Sequence, residues 1–172
     1  MPFYLKPRDI LSDMATIRSA LLVPCRFCPA ASFAIRDNEP YLKPLSSFLR
    51  TPSYEAHIHA LQSRLESRGI STDVFDSKLL HHFVMCMWTA AQRRTLSRRA
   101  TGYDAVIVLG CDAAVETVRS SVASVGCRVV PGMEVEGVMN VMPSVRFPLD
   151  IRLELSGVTR VRQSEASPSP TA

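Results

Sequence analysis

The side chains best suited to chemistry in this sequence are four of its five cysteines. Cys25 and Cys28 form a Cys-x-x-Cys pair, whereas Cys86 and Cys111 are single residues, each at or just after the end of an apolar segment. Thiolates are preferred ligands of iron–sulfur clusters and of structural zinc, and either site can take four of them. The sequence therefore predicts one shared metal site, provided that the fold brings the four thiols together.

Three predicted strands would position these cysteines. Apolar runs at 19–24, 82–86 and 104–110 are typical of strands, and the last of them is apolar almost throughout, as in a strand covered on both faces. Because the carboxyl ends of parallel strands share one edge of a sheet, we expect the four cysteines to lie at that edge.

The fifth cysteine, Cys127, differs from the others in its placement. It precedes a predicted strand at 128–131 instead of following one, so we expect it at the opposite edge of the sheet, as a small buried hydrophobic residue.

Alternating strands and helices predict the fold class. We expect an α/β protein with an open, mostly parallel Rossmann-like sheet and helices on both faces. Residues 1–18 are predicted to form a lead-in helix, 19–161 a single α/β domain, and the Ser/Pro-rich residues 162–172 a disordered tail. The proline-containing stretch 29–50 is predicted to be a long functional loop.

Composition narrows the classes of function. Hydrophobic residues make up 47% of 172 residues, yet no apolar run is long enough for a membrane span. The first residues do not look like a signal peptide, so we expect a cytoplasmic protein whose thiols stay reduced. The net charge of +4 is modest, and without a nucleic-acid-binding motif we expect no nucleic-acid partner.

A helix predicted at 89–100 carries a cluster of arginines: Arg93, Arg94, Arg98 and Arg99. Such a cluster is either a solvated helix face or a docking patch for an acidic or phosphate-bearing partner.

Motifs of several common enzyme classes are missing from the sequence. There is no Ser-His-Asp order, no pair of candidate catalytic carboxylates and no His-x-x-x-His motif. The segment 110–114 lacks the glycine spacing of a dinucleotide-binding fingerprint, so NAD is not expected.

Three segments carry a resemblance to a known family. Residues 108–118 read Val-Leu-Gly-Cys-Asp-Ala-Ala-Val-Glu-Thr-Val and are followed by Val-Val-Pro-Gly at 129–132. Together they resemble the cysteine-containing, C-terminal-like domain found in or beside many bacterial methylenetetrahydrofolate reductases. Residues 22–28 resemble the first strand and cysteine loop of that domain, and Met85-Cys86 resembles its middle cysteine. The resemblance covers residues 19–137 and is most specific around Cys111.

This resemblance implies an accessory module that binds a [4Fe–4S] cluster and supports electron delivery in one-carbon metabolism. Cys25, Cys28, Cys86 and Cys111 would be the cluster ligands. The implied partner is a larger redox enzyme, such as a flavin-containing folate reductase. The sequence also departs from the family, because Asp112 and Ala114 replace the usual glycines and the additional cysteine-rich knuckles are absent.

Two alternatives stay open at the level of sequence. The same cysteines could hold zinc and support methyl or thiol transfer. Alternatively, the chain could be a metal-free scaffold that binds a partner through the 29–50 loop and the arginine helix.

Overall fold

The computed structural model describes residues 2–42, 50–75, 84–147 and 150–160. The strands are β1 Phe3–Pro7, β2 Ser19–Pro24, β3 Ser71–Val74, β4 Ala105–Leu109, β5 Arg128–Pro131, β6 Met133–Arg146 and β7 Asp150–Arg160. The helices are α1 Cys28–Arg36, α2 Pro52–Glu66, α3 Ala90–Ala100 and α4 Asp112–Val122, with short 3₁₀ turns at Leu11–Met14 and Met85–Met87.

A four-stranded parallel sheet forms the centre of the molecule. Its strand order is β3-β2-β4-β5, and every neighbouring pair is parallel. The chain first moves outward from β2 to β3 and then crosses back to β4, so the direction of winding reverses between β2 and β4. Right-handed crossovers place α2 on one face and α3 and α4 on the other. In agreement, α1 packs against α2 and α3 packs against α4.

A second, antiparallel sheet shows that the predicted single open, mostly parallel Rossmann-like sheet is wrong. Its three strands have the order β1-β6-β7 and pair antiparallel. Only the four-stranded sheet agrees with the predicted class. The second sheet forms because β6 is 14 residues long. Its first half pairs with β1, and most of its length pairs with β7.

The two sheets are joined at Gly132, between β5 and β6. The Gly132 N–H donates to the Val108 carbonyl (2.8 Å), and its own carbonyl accepts from the Arg8 N–H (3.0 Å). A Cβ at this position would lie 2.6 Å from Cδ2 of Leu109 and 3.3 Å from the Val108 carbonyl oxygen, so glycine allows this close approach without crowding.

Two segments differ from their predicted structure. The N-terminal lead-in was expected to be helical, but residues 3–7 form β1 and only one 3₁₀ turn follows. The predicted 29–50 loop contains most of α1, since Pro29 occupies the first turn of that helix, where its missing N–H has no cost. Residues 43–49 of this predicted loop and the predicted tail 162–172 lie outside the described residues.

The strand predicted at 82–86 is also wrong for the residues that can be assessed. Val84 is extended, but Met85–Met87 form a 3₁₀ turn with Met85 fully buried. Residues 82 and 83 lie outside the described part of the chain.

The remaining predicted elements are confirmed, and they build the core. All five residues of β4 are completely buried, as the apolar run predicted. Gly69 has a φ of +79° just beyond α2, as expected for a glycine that ends a helix. Thr89 and Gln92 form a reciprocal capping box that starts α3.

Candidate functional site: a buried cysteine cluster

The site begins where β2 and β4 end side by side. Pro24 is in register with Leu109, and the Cys25 N–H continues the ladder by donating to the Leu109 carbonyl (2.9 Å). This is also the point at which the strand order reverses. In open α/β sheets, ligands bind in the crevice beyond the carboxyl ends of the strands at such a point.

Three of the four predicted ligands are buried together at this edge. Cys25, Cys28 and Cys111 are 4%, 8% and 6% exposed. Cys28 is the first residue of α1, and Cys111 is the N-cap of α4, so the starts of two helices converge on the ends of two strands. The thiols of Cys28 and Cys111 are hydrogen-bonded to each other.

The hydrogen bond between Cys28 and Cys111 makes their acidities unequal. Donation from the Cys28 thiol, followed by the backbone N–H groups of Ala114 and Ala113, lowers the pKa of Cys111 to about 6, even though burial opposes this. The same hydrogen bond, together with burial, raises the pKa of Cys28. The surroundings thus favour a thiolate on Cys111 that accepts a hydrogen bond from the Cys28 thiol.

Burial dominates at Cys25. It raises the pKa of this thiol to about 11, although N–H groups of Met85 and Phe27 that bond to the sulfur act in the opposite direction. Negative charge on Cys111 or Cys86 would raise it as well. The cluster thus resists full ionisation unless positive charge enters it.

Backbone N–H groups face all three buried sulfurs. Besides those at Cys25 and Cys111, the Phe3 N–H of β1 bonds to the Cys28 sulfur. These donors come from four separate parts of the chain, so the folded backbone is arranged to stabilise negative charge on sulfur.

Cys86, the fourth predicted ligand, lies at the margin of this cluster. It is exposed, on the 3₁₀ turn whose Met85 N–H bonds to Cys25. Its charge contributes to the pKa of Cys25, which places the two thiols within electrostatic reach of each other. The structure therefore brings three predicted ligands together, with the fourth beside them.

Gly110 makes this convergence possible. A Cβ at Gly110 would lie 2.7 Å from the Cβ of Ala114 and 3.3 Å from the Cβ of Cys25. Any side chain here would push the start of α4 away from the cysteine loop.

Two tyrosines next to the cluster were not predicted as site residues. Tyr54 is completely buried, and its hydroxyl donates to the Leu109 carbonyl (3.0 Å) at the end of β4. Tyr41 is 7% exposed, and burial followed by the charges of Cys28 and Cys25 raises its pKa. The sequence contains no signal that links either ring to the cysteines.

An ion pair beside the cluster was also missed. Arg26, which lies between Cys25 and Cys28, donates to Glu55 of α2 through Nε (2.8 Å) and Nη2 (3.3 Å). The two side chains are only 13% and 16% exposed. Arg50 lies 3.6 Å from the same carboxylate. This bidentate pair ties the cysteine loop to α2.

Two other predicted features have clear positions in the fold. Cys127 directly precedes β5, at the opposite edge of the parallel sheet, and is half-buried against the core. The arginine helix is α3; there Arg93 donates to Ser120 and to the Trp88 carbonyl, and Arg99 pairs with Asp73 (3.0 Å). Part of the basic face thus binds neighbouring elements of the same chain, and its role in docking stays a prediction.

The fit of this site to a metal depends on its donors. Within the described ranges, no three His, Cys, Asp or Glu side chains already have the arrangement of a metal site. The donor chemistry nevertheless fits iron–sulfur or zinc, because three soft ligands are buried together with N–H groups directed at their sulfurs. Because the ligands are thiolates, binding would release the protons of the ligating thiols, including the proton in the hydrogen bond between Cys28 and Cys111.

Comparison with known proteins does not identify the chain. No family model, no curated protein and no solved structure matches it. In the part of the chain that the structure describes, no helix is both long enough and apolar enough to cross a membrane.

Proposed function

We propose that this protein binds an iron–sulfur cluster through Cys25, Cys28, Cys86 and Cys111 and acts as an electron-transfer accessory of a larger redox enzyme. The proposal depends on one observation: Cys25, Cys28 and Cys111 are buried together at the carboxyl ends of β2 and β4. The Cys28 and Cys111 thiols are hydrogen-bonded, and Cys25 is close enough to interact with the charge of both. When bound, such a cluster accepts and donates single electrons.

The surrounding residues would each have a defined role. Burial of the thiols would exclude water from the metal, and N–H groups of Phe3, Met85 and Ala114 would stabilise the charge on sulfur. The Arg26–Glu55 pair would hold the cysteine loop in place. Cys86, being exposed, would be the ligand nearest to solvent and to a redox partner.

The partner proposal comes from the family resemblance alone. A flavin-containing folate reductase, or another enzyme of one-carbon metabolism, is the candidate. The cytoplasm is the proposed location, because its reducing conditions keep thiols free to bind metal.

The test is reconstitution of the full chain with iron and sulfide without oxygen. We expect a brown protein that contains iron and acid-labile sulfide and becomes paramagnetic on reduction. Replacing Cys25 or Cys111 with serine should abolish the bound iron. The matched control is Cys127→Ser, at the opposite edge of the sheet, which should bind as much iron as the wild type. Circular dichroism would establish that each variant is folded.

Three results would overturn the proposal. Folded protein without metal would favour the metal-free scaffold. Protein that retains zinc and takes up no iron would favour the zinc-thiolate alternative. Equal loss of iron in Cys127→Ser would show that binding is not specific to the buried cluster.

A further inference from the structure

A cleft of about 400 Å³ opens beside the cysteine cluster, between the antiparallel sheet and the start of α4. Apolar side chains of Phe3, Pro131, Met133 and Val135 contribute about half of its lining, and polar groups contribute the rest. Sites for small organic molecules have this size, and a few polar groups in them fix the orientation of the ligand. The cleft is therefore large enough for a ligand of one or two aromatic rings.

Three charged side chains border this cleft: Arg8, Asp112 and Glu134. Two of them already have partners, since Arg8 pairs with Asp13 (3.2 Å) and Glu134 with Lys6 (3.5 Å). Asp112 is exposed and has no ion-pair partner among the residues that the structure describes. The charged group at this cleft that has no ion-pair partner among the described residues is thus a carboxylate.

We propose that this cleft binds a small planar aromatic molecule that carries positive charge. The flat apolar body would lie against Phe3 and Val135, and the cationic edge would face Asp112. An aromatic wall also attracts a cation through the negative face of its ring, which adds to the attraction of the carboxylate.

The position of the cleft suggests a use for it. Asp112 directly follows Cys111, and the Phe3 N–H bonds to the Cys28 sulfur, so the cleft and the cysteine cluster share a wall. A ligand here would lie close enough to exchange electrons with a cluster. That use rests on the proposed function, whereas binding in the cleft does not.

The test uses methyl viologen, a planar aromatic dication, titrated by calorimetry into the full chain without metal and again after reconstitution. We expect saturable binding with one site in both forms. The Asp112→Asn variant should bind at least about fivefold more weakly, since it loses one close charge interaction. Glu116→Gln is the matched control, because it neutralises an exposed carboxylate on the same helix that does not border the cleft; its affinity should not change.

A second probe separates charge from shape. Anthraquinone-2-sulfonate is also planar and aromatic but is an anion, and it should bind more weakly than methyl viologen. The proposal is overturned if methyl viologen does not bind saturably to the metal-free chain. It is also overturned if Asp112→Asn and Glu116→Gln bind alike, or if the anion binds better. If no cluster can be reconstituted, that result counts against the proposed function alone. The titration of the metal-free chain would still decide whether the cleft binds the ligand.

Discussion

The two edges of the parallel sheet differ in the groups that they gather. At the carboxyl edge, Cys25, Cys28 and Cys111 are buried with backbone N–H groups directed at their sulfurs. At the amino edge, Cys127 is only half-buried, and Asp104 closes the ends of two strands by accepting the N–H groups of Arg18 and Ser19. Reactive groups are thus concentrated at one edge, whereas the other is held by an ordinary structural contact.

The two glycines that flank β4 provide the largest expected contrast between the edges. Gly110→Ala should lower the free energy of unfolding by about 2–3 kcal/mol, since its Cβ would overlap that of Ala114 and crowd that of Cys25. Gly102 lies at the amino end of β4, and a methyl group added there would have no neighbouring atom within 4 Å. Gly102→Ala should change stability by less than about 0.5 kcal/mol. Urea denaturation measures both, and equal effects would refute the crowding at the carboxyl edge.

The sequence predicts elements that depend on nearby residues better than elements that depend on pairing with distant residues. The apolar run of β4 is a local signal, and it predicted its strand correctly. β1 was missed because it is defined by pairing with residues about 130 positions away, such as Phe3 with Val138. No local pattern encodes a partner at that distance.

The cysteine site was predictable in part for the same reason. The positions of Cys25 and Cys111 after apolar strands predicted a shared edge, and the structure places both there. The bond between Cys28 and Cys111 depends on where α1 begins, which the prolines obscured. The exposure of Cys86 follows from a 3₁₀ turn where the sequence predicted a strand.

A second contrast sets the ion pair at the cysteine loop against one on the surface. Glu55→Gln removes the charge that binds Arg26 in a largely buried bidentate pair and should cost about 1–2 kcal/mol of stability. Glu116→Gln breaks the Arg119–Glu116 pair, in which the side chains are 58% and 67% exposed, and should cost less than about 0.5 kcal/mol. Chemical denaturation at low and high salt checks this difference, and an equal cost for the two variants would contradict the proposed role of Arg26.

The smallest expected effect tests the amino edge by pH. Hydrogen bonds from the backbone N–H groups of Arg18 and Ser19 lower the pKa of Asp104 in the folded protein. The carboxylate therefore stabilises the fold above the pKa of Asp in the unfolded chain, about 4, and this contribution is lost as the pH falls through the lower folded pKa. Asp104→Asn keeps the shape without the charge, so its Tm should lie below that of the wild type at pH 7.

Because a protonated Asp104 is neutral like asparagine, the two melting temperatures should approach each other as the pH falls below about 4. Thermal unfolding followed by circular dichroism between neutral and acidic pH measures this convergence. The same series should leave the iron content after reconstitution at neutral pH unchanged in Asp104→Asn, because Asp104 is at the edge opposite the cysteines. A constant difference in Tm at every pH, or a loss of iron in this variant, would mean that the two edges are not as independent as their contacts indicate.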